Sequence, residues 1–262
     1  MMNSSGFYLK RLSLLERRDQ LQNIPDGKVL INTINAFSCN QAKKDGAFAE
    51  ALLNSDVLLP DGSSIVLACR FLRAKSRPSH RCTGWDLFSH EMVHLNASYS
   101  DAQAYWKKRN PQRRQPVVMF VGSSEKVLKL IVEKAAVQFP HLSVLTYSPP
   151  FKSEFSPEDS AAMVAAINAA DPDIVWLGMT APKQEKWAYA HWPELNIHCH
   201  LGSIGAVFDF YAGTITRAPK VMQQGGLEWL YRWSQEPTRL FYRYGLGNPL
   251  FIWNMFKEIF VH

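Results

Sequence analysis

Val117-Val118-Met119-Phe120-Val121-Gly122-Ser123-Ser124 runs five apolar residues into a glycine and two serines, and a helical stretch from Glu125 to Phe139 follows. A short unbroken apolar run of this kind reads as a strand buried on both faces, bounded by a turn. The same alternation continues on either side. Toward the amino end, Val29 to Asn32 and Val57 to Leu59 read as strands, with helices predicted over Ser38 to Leu53, Ser63 to Leu72 and Trp85 to Leu95. Tyr99 to Gln115 is a polar, basic connection to which no role is assigned. Toward the carboxyl end, strands are expected at Leu142 to Thr146, Ile174 to Leu177 and Ile197 to Leu201. A helix over Pro157 to Ala170 begins at a proline suited to the first helical position. Strands alternating with helices predict an α/β fold with a mainly parallel sheet and helices on both faces.

A chain of 262 residues can bury one substantial core, and 47% hydrophobic with 20% charged residues is the composition of an ordinary globular protein, which argues against disorder. The net charge of +6 favours anionic partners: nucleic acid, phospholipid headgroups or phosphorylated substrates. Cys39, Cys69, Cys82 and Cys199 are scattered without a CxxC pair, which argues against a disulfide framework or a structural zinc and fits a reducing compartment. Lys10, Arg11 and Glu16 interrupt any signal-peptide core, and no segment reaches the roughly 18 apolar residues of a membrane span. The expectation is a cytosolic protein with at most peripheral membrane contact.

Ligands of open parallel sheets sit beyond the carboxyl ends of the strands. That rule selects Thr33-Ile34-Asn35, Pro60-Asp61-Gly62, Gly122-Ser123-Ser124, Met179-Thr180-Ala181-Pro182 and Gly202-Ser203-Ile204-Gly205. Asp61 can serve there as a general base toward a sugar hydroxyl, or be an ordinary turn aspartate. Thr33 and Asn35 can orient sugar hydroxyls or cap the next helix. Arg81, ahead of a glycine turn, can clamp a phosphate or stand solvated. The turn at Gly122 and Ser123 offers backbone N–H groups to an anion, yet it is no GxGxxG fingerprint, which weakens a NAD-dependent reading. Pro182, Lys183 and Gln184 open a helix at the same edge, where Lys183 or Gln184 can reach a sugar or phosphate. Asp171-Pro172-Asp173 imitates a metal-binding Asp-x-Asp, but it precedes its strand and so falls at the opposite edge; no metal is expected. His198 and His200 share one strand face and read as core or interface residues.

The tail interleaves Arg217, Arg232, Arg239 and Arg243 with Trp229, Tyr231, Trp233, Phe241, Tyr242 and Tyr244. Such a surface suits diphosphate binding and an anionic membrane, although an aromatic stripe is also what a core helix carries. Phe251, Trp253, Phe256 and Phe260 are spaced like one apolar helix face. Because the basic residues cluster with this apolar tail, a nucleic-acid partner is not expected.

These blocks together resemble the WecG/TagA/CpsF family of bacterial glycosyltransferases (glycosyltransferase family 26). The residues that carry the resemblance are Asn54-Ser55-Asp56 through Gly62, Arg81-Cys82-Thr83-Gly84-Trp85-Asp86-Leu87 and Phe120-Val121-Gly122. They continue with Pro182-Lys183-Gln184-Glu185, Gly205 to Phe210 with Gly213, Arg217-Ala218-Pro219, and Leu227 to Arg232 with Glu236-Pro237 and Arg239. The resemblance implies a Rossmann-like catalytic domain over residues 1–213 and a membrane-associating appendage over 214–262 that completes the active site. It implies inverting transfer, without metal or other cofactor, from a UDP-sugar to a polyprenyl-diphosphate-linked saccharide at the inner membrane face. By the same resemblance Asp61 is the general base, Thr33 a sugar contact, Gln184 a sugar-positioning group and Asp209 a uridine contact. Arg81, Arg217, Arg232 and Arg239 would stabilise the departing diphosphate. The chain departs from the family at Pro149-Pro150-Phe151 and Thr180-Ala181, which puts a donor contact in question. A non-catalytic membrane module that binds nucleotide-sugar or headgroups is the competing class, and exposed tail aromatics would also favour self-association.

Overall fold

The computed structural model describes residues 6–260, apart from the side chains of Lys220, Gln224 and Arg239. Six strands run parallel in one sheet: β1 (Val29–Ile34), β2 (Val57–Pro60), β3 (Val117–Gly122), β4 (Ser143–Tyr147), β5 (Ile174–Gly178) and β6 (His200–Ser203), in the order β2-β1-β6-β5-β3-β4. The helices are α1 (Ala36–Ala42), α2 (Gly46–Leu53), α3 (Ser63–Phe71), α4 (Gly84–Ala97), α5 (Tyr105–Arg109), α6 (Glu125–Gln138) and α7 (Pro157–Ala170). They continue with α8 (Lys183–Ala190), α9 (Val207–Ala212), α10 (Lys220–Gln224), α11 (Glu228–Gln235), α12 (Pro237–Leu240) and α13 (Gly247–Ile259). The α/β architecture predicted from strand–helix alternation is present.

The chain divides into two compact units. One comprises the chain up to Gln20, Thr33–Thr83 and the tail from Thr216; the other comprises Leu21–Asn32 and Gly84–Ile215. In the second unit the period of two along each strand splits its side chains between two cores. Met119 and Val121 of β3, Val175 and Leu177 of β5, and Leu201 of β6 pack with Met163, Val164 and Ile167 of α7 and Trp187 of α8. Phe120 and Trp176 face the other way, where Phe88 of α4 lies 6.2 and 5.7 Å from them and Phe208 of α9 lies 5.3 Å from Phe120. Both faces are therefore covered, which is why the strands read as continuous apolar runs.

The first unit has its own core. Phe7, Leu9, Leu12 and Leu14 join Ile34, Cys39 of α1, Phe48 and Leu52 of α2, Leu58 of β2, Ile65 and Cys69 of α3, and Phe251 and Met255 of α13. The single helix predicted over Ser38 to Leu53 is two, because Asp45 accepts a hydrogen bond from Phe48 N at 3.1 Å and starts α2 afresh. Helix α13 also differs from expectation. Phe251 faces the core, whereas Trp253, Phe256 and Phe260 are exposed, so the four do not share one face. Glu258, on the buried side, is neutralised by Lys43 at 2.7 Å and accepts from Lys10 N at 3.2 Å. All four cysteines are buried free thiols.

Candidate active site

In the first unit, β2 delivers Asp61 to its carboxyl end. Asp61 N donates to Ile34 O at 2.8 Å, and Cys82 N donates to Pro60 O at 3.0 Å. These bonds set Asp61 beside the end of β1, which carries Thr33, and beside the segment that carries Arg81. Thr33 is half-buried one residue before the strand ends, and Asn35 caps α1 by accepting from Ser38 N at 3.0 Å. The capping reading of Asn35 is thus realised, with its amide N–H groups left out of that bond. Asp61 is only partly covered at its surface, but protein surrounds it on most sides. Burial, followed by the Glu228 charge, raises its pKa to about 6 against the opposing pull of Arg81, Arg243 and Arg232.

Glu228 opens α11 and uses one carboxylate for two arginines. Arg81 Nη1 donates to Oε2 at 2.8 Å, and Arg217 Nη2 donates to Oε1 at 3.3 Å. Among the described residues, four guanidiniums (Arg81, Arg217, Arg232 and Arg243) thus accompany the carboxylates of Asp61 and Glu228. The surplus of positive charge suits a diphosphate. The Arg239 side chain lies outside the described residues.

The second unit presents the loops that follow β3, β5 and β6. Gly122 has φ +120°, and a Cβ there would meet Gly178 O at 2.6 Å, so only glycine fits between these strand ends. Ser123 follows at φ 58°, its carbonyl held by Ser148 Oγ at 2.9 Å. Gln184 is 3% exposed and bonded at both ends of its amide: Oε1 accepts from Met179 N at 3.1 Å, and Nε2 donates to Glu185 Oε1 at 2.9 Å. Gly205, at φ +49°, passes over this amide, where a Cβ would lie 3.6 Å from Nε2. Gln184 therefore fixes the backbone of the loop after β5. Lys183 donates to Lys152 O at 2.6 Å and stands 3.6 Å over the Phe155 ring, with Pro182 just before it. Burial lowers the Lys183 pKa. Asp209 accepts from Thr214 Oγ1 at 3.2 Å and so braces the end of α9.

Residues 3–262 match the model of the Glycosyl transferase WecG/TagA/CpsF family. The chain belongs to that family. Similar proteins include the N-acetylglucosaminyldiphosphoundecaprenol N-acetyl-beta-D-mannosaminyltransferase of Bacillus subtilis (strain 168), 27% identical over 229 residues, which are 87% of this chain and 79% of that protein. The transferase of the same name from Bacillus spizizenii is 26% identical over 219 residues, 83% of this chain and 75% of that protein. This WecG/TagA/CpsF member is accordingly a glycosyltransferase.

The role of the connection ahead of β3 in this glycosyltransferase is visible only in three dimensions. Arg109 and Arg113 each pair with both Asp171 and Asp173; Arg113 reaches them at 2.6 and 2.9 Å. Asp173 also accepts from Val117 N at 2.8 Å. The Asp-x-Asp pair is therefore consumed by arginines at the amino ends of β3 and β5. Among the described residues no cluster of three metal-ligating side chains occurs. His200 sits between Glu91 Oε1 at 3.1 Å and Pro25 O at 2.9 Å, two acceptors that favour the imidazolium. Although burial lowers its pKa, these contacts outweigh burial and raise it overall.

Two groups around Asp61 carried no site role in the sequence reading, Glu228 and Arg243. Glu228 lies within the Leu227 to Arg232 stretch that carries the family resemblance, but a lone acid in a cationic tail has no local signature. Arg243 was visible only as one of the tail arginines; its guanidinium lies 4.9 Å over the Phe37 ring.

Proposed function

We propose that this glycosyltransferase moves a hexose or N-acetylhexosamine-type sugar from a UDP-sugar to a polyprenyl-diphosphate-linked saccharide, inverting the anomeric centre without a metal. The observation that carries the reading is the Asp61 carboxyl, with its pKa raised to about 6 beside the arginines at the end of β2. At neutral pH such a group is mostly ionised, yet it is a stronger base than an exposed aspartate. The acceptor hydroxyl oxygen attacks the anomeric carbon from the face opposite the nucleotide and forms the new glycosidic bond. Its proton passes to Asp61. The bond from the anomeric carbon to the β-phosphate oxygen breaks, and its electron pair leaves with UDP. The charge that appears on the leaving diphosphate calls for cations, and Arg81, Arg217 and Arg232, with Arg239, are proposed to supply it in place of a metal.

Thr33 and Asn35 are proposed as sugar contacts, with Gln184 as the group that shapes its loop for the sugar. Gly122, Ser123, Pro182 and Gly205, on loops after strand ends, and Lys183 and Asp209, in the first turns of α8 and α9, are proposed to bind substrate. The names of the Bacillus relatives make an N-acetylmannosamine donor and an N-acetylglucosaminyl-diphosphate lipid acceptor the first pair to test.

Residues 214–262 are proposed to complete the site and to hold the enzyme on the inner membrane face. Supporting this, the tail contributes Glu228, Arg232 and Arg243 around Asp61, and Arg217 on Glu228, while exposing Val221, Tyr242, Trp253 and Phe260. Among the described residues no helix is long and apolar enough to cross a membrane, and the contact proposed is the lying of these exposed aromatics against the surface. The test measures UDP release over a panel of UDP-sugars with short-chain prenyl-diphosphate sugars in detergent. Turnover that requires one donor and one acceptor supports the reading. UDP binding without turnover on any pair would instead favour a non-catalytic module.

A further inference from the structure

The placement of Glu228 poses a chemical problem. A pocket that binds a diphosphate gains nothing from a carboxylate, which competes for the same arginines and repels the ligand. Yet Glu228 is 15% exposed in its side chain and spends both oxygens on Arg81 and Arg217, which are themselves 20% and 19% exposed. It is also the charge that most opposes ionisation of Asp61, where Arg81, Arg243 and Arg232 act the other way.

The two tasks of the site conflict without it. Guanidiniums placed to receive a leaving diphosphate also stabilise the carboxylate of a nearby base, and so weaken it as a proton acceptor. A second carboxylate offsets that pull. Because it bonds the guanidiniums directly, it also fixes their planes, which bidentate phosphate recognition requires. We infer that Glu228 is a positioning residue of the transfer reaction, one carboxylate that spaces Arg81 and Arg217 and offsets the charge of Arg81, Arg243 and Arg232 at Asp61. The inference rests on the reading of Asp61 as the base.

The test is Glu228→Gln in the full-length enzyme. Asp61 is titrated by carboxyl ¹³C NMR, with Asp61→Asn identifying its signal, and kcat/KM is followed against pH. The expected result is an Asp61 midpoint lower by about one pH unit, with the acidic limb of kcat/KM moving by the same amount. A kcat lower by roughly tenfold should accompany it, since a weaker, less well aligned site remains. A midpoint and limb that stay at their wild-type positions overturn the inference, whatever happens to kcat, because a merely structural contact predicts that pattern.

Glu228→Asp keeps the charge and withdraws it by one methylene. It should leave the limb near its wild-type position while lowering kcat, and wild-type turnover in this variant would overturn the spacing role. This variant also carries the test if Glu228→Gln does not fold. Absence of wild-type turnover on every donor–acceptor pair would refute the proposed reaction instead, while the NMR midpoint still reports the Glu228–Asp61 coupling.

Discussion

Two arginine–carboxylate clusters stand at opposite kinds of strand end, and they are built differently. Arg109, Arg113, Asp171 and Asp173 form a closed set of two cations and two anions at the amino ends of β3 and β5, each arginine bonded to both aspartates. The cluster at the carboxyl end of β2 is unbalanced: Asp61 and Glu228 face Arg81, Arg217, Arg232 and Arg243, and Asp61 keeps a raised pKa of about 6. A balanced lattice fastens a loop. In the unbalanced one, burial and Glu228 hold the Asp61 carboxyl short of full stabilisation against the pull of the arginines, and the surplus positive charge suits the diphosphate proposed above. The Asp-x-Asp sequence looks more like chemistry than Pro60-Asp61-Gly62 does, yet its partners make it the structural member of the pair.

The largest expected effect breaks the comparison at Asp61. Asp61→Asn should lower turnover by on the order of 10³-fold while UDP affinity stays within about twofold, measured by UDP release and calorimetry. Equal turnover would remove Asp61 from the chemistry. In the balanced cluster, Asp173→Asn should instead cost roughly 3 kcal/mol of stability in urea unfolding, because it leaves arginine charge uncompensated at a side chain only 4% exposed. Turnover per folded molecule should not change, and a specific loss would give this cluster a catalytic role.

Stability against pH sharpens the contrast. The folded pKa of Asp61 lies above its ordinary value of 3.8, so its contribution is full below pH 3.8 and lost as pH rises through 6. Asp61→Asn should therefore be more stable than wild type at pH 7.5, by on the order of 2 kcal/mol, and no more stable at pH 3.5. An unchanged Tm difference between the two pH values would mean that the carboxylate is not strained. The smallest effect is expected at His200, whose folded pKa is raised by Glu91 and Pro25 O against burial. Its stabilisation is complete below the ordinary histidine value of 6.5 and fades as pH rises through the folded value. His200→Gln should thus lower Tm more at pH 5.5 than at pH 8.5.

Much of this was legible along the chain. Pro157–Ala170 forms the helix that its proline and Ser156 announce, with a capping box between Ser156 and Asp159. Strand Val117–Gly122 is buried at every position. The break between α1 and α2 was missed because Asp45 acts through a side-chain cap that interrupts an otherwise continuous helical pattern. Helix α13 was misread because it is apolar on two sides, and periodicity alone cannot say which side meets the core. Gln184 was named as a sugar-positioning group; its bonds to Met179 N and Glu185 show a loop-holding amide that the sequence could place but not orient.

The sequence by itself determined the alternation of strands and helices, the loops that follow the strand ends, and membership of a glycosyltransferase family. Those depend on backbone geometry and local side-chain pattern, which repeat every two or 3.6 residues and are read within a short window. Tertiary structure alone decided that Arg109 and Arg113 close on Asp171 and Asp173, and that Glu228 stands beside Asp61. Arg81 and Glu228 lie 147 positions apart, and no local preference reaches that far. Electrostatic pairing depends on distance in space, so the charges that tune the proposed base become neighbours only when the chain has folded.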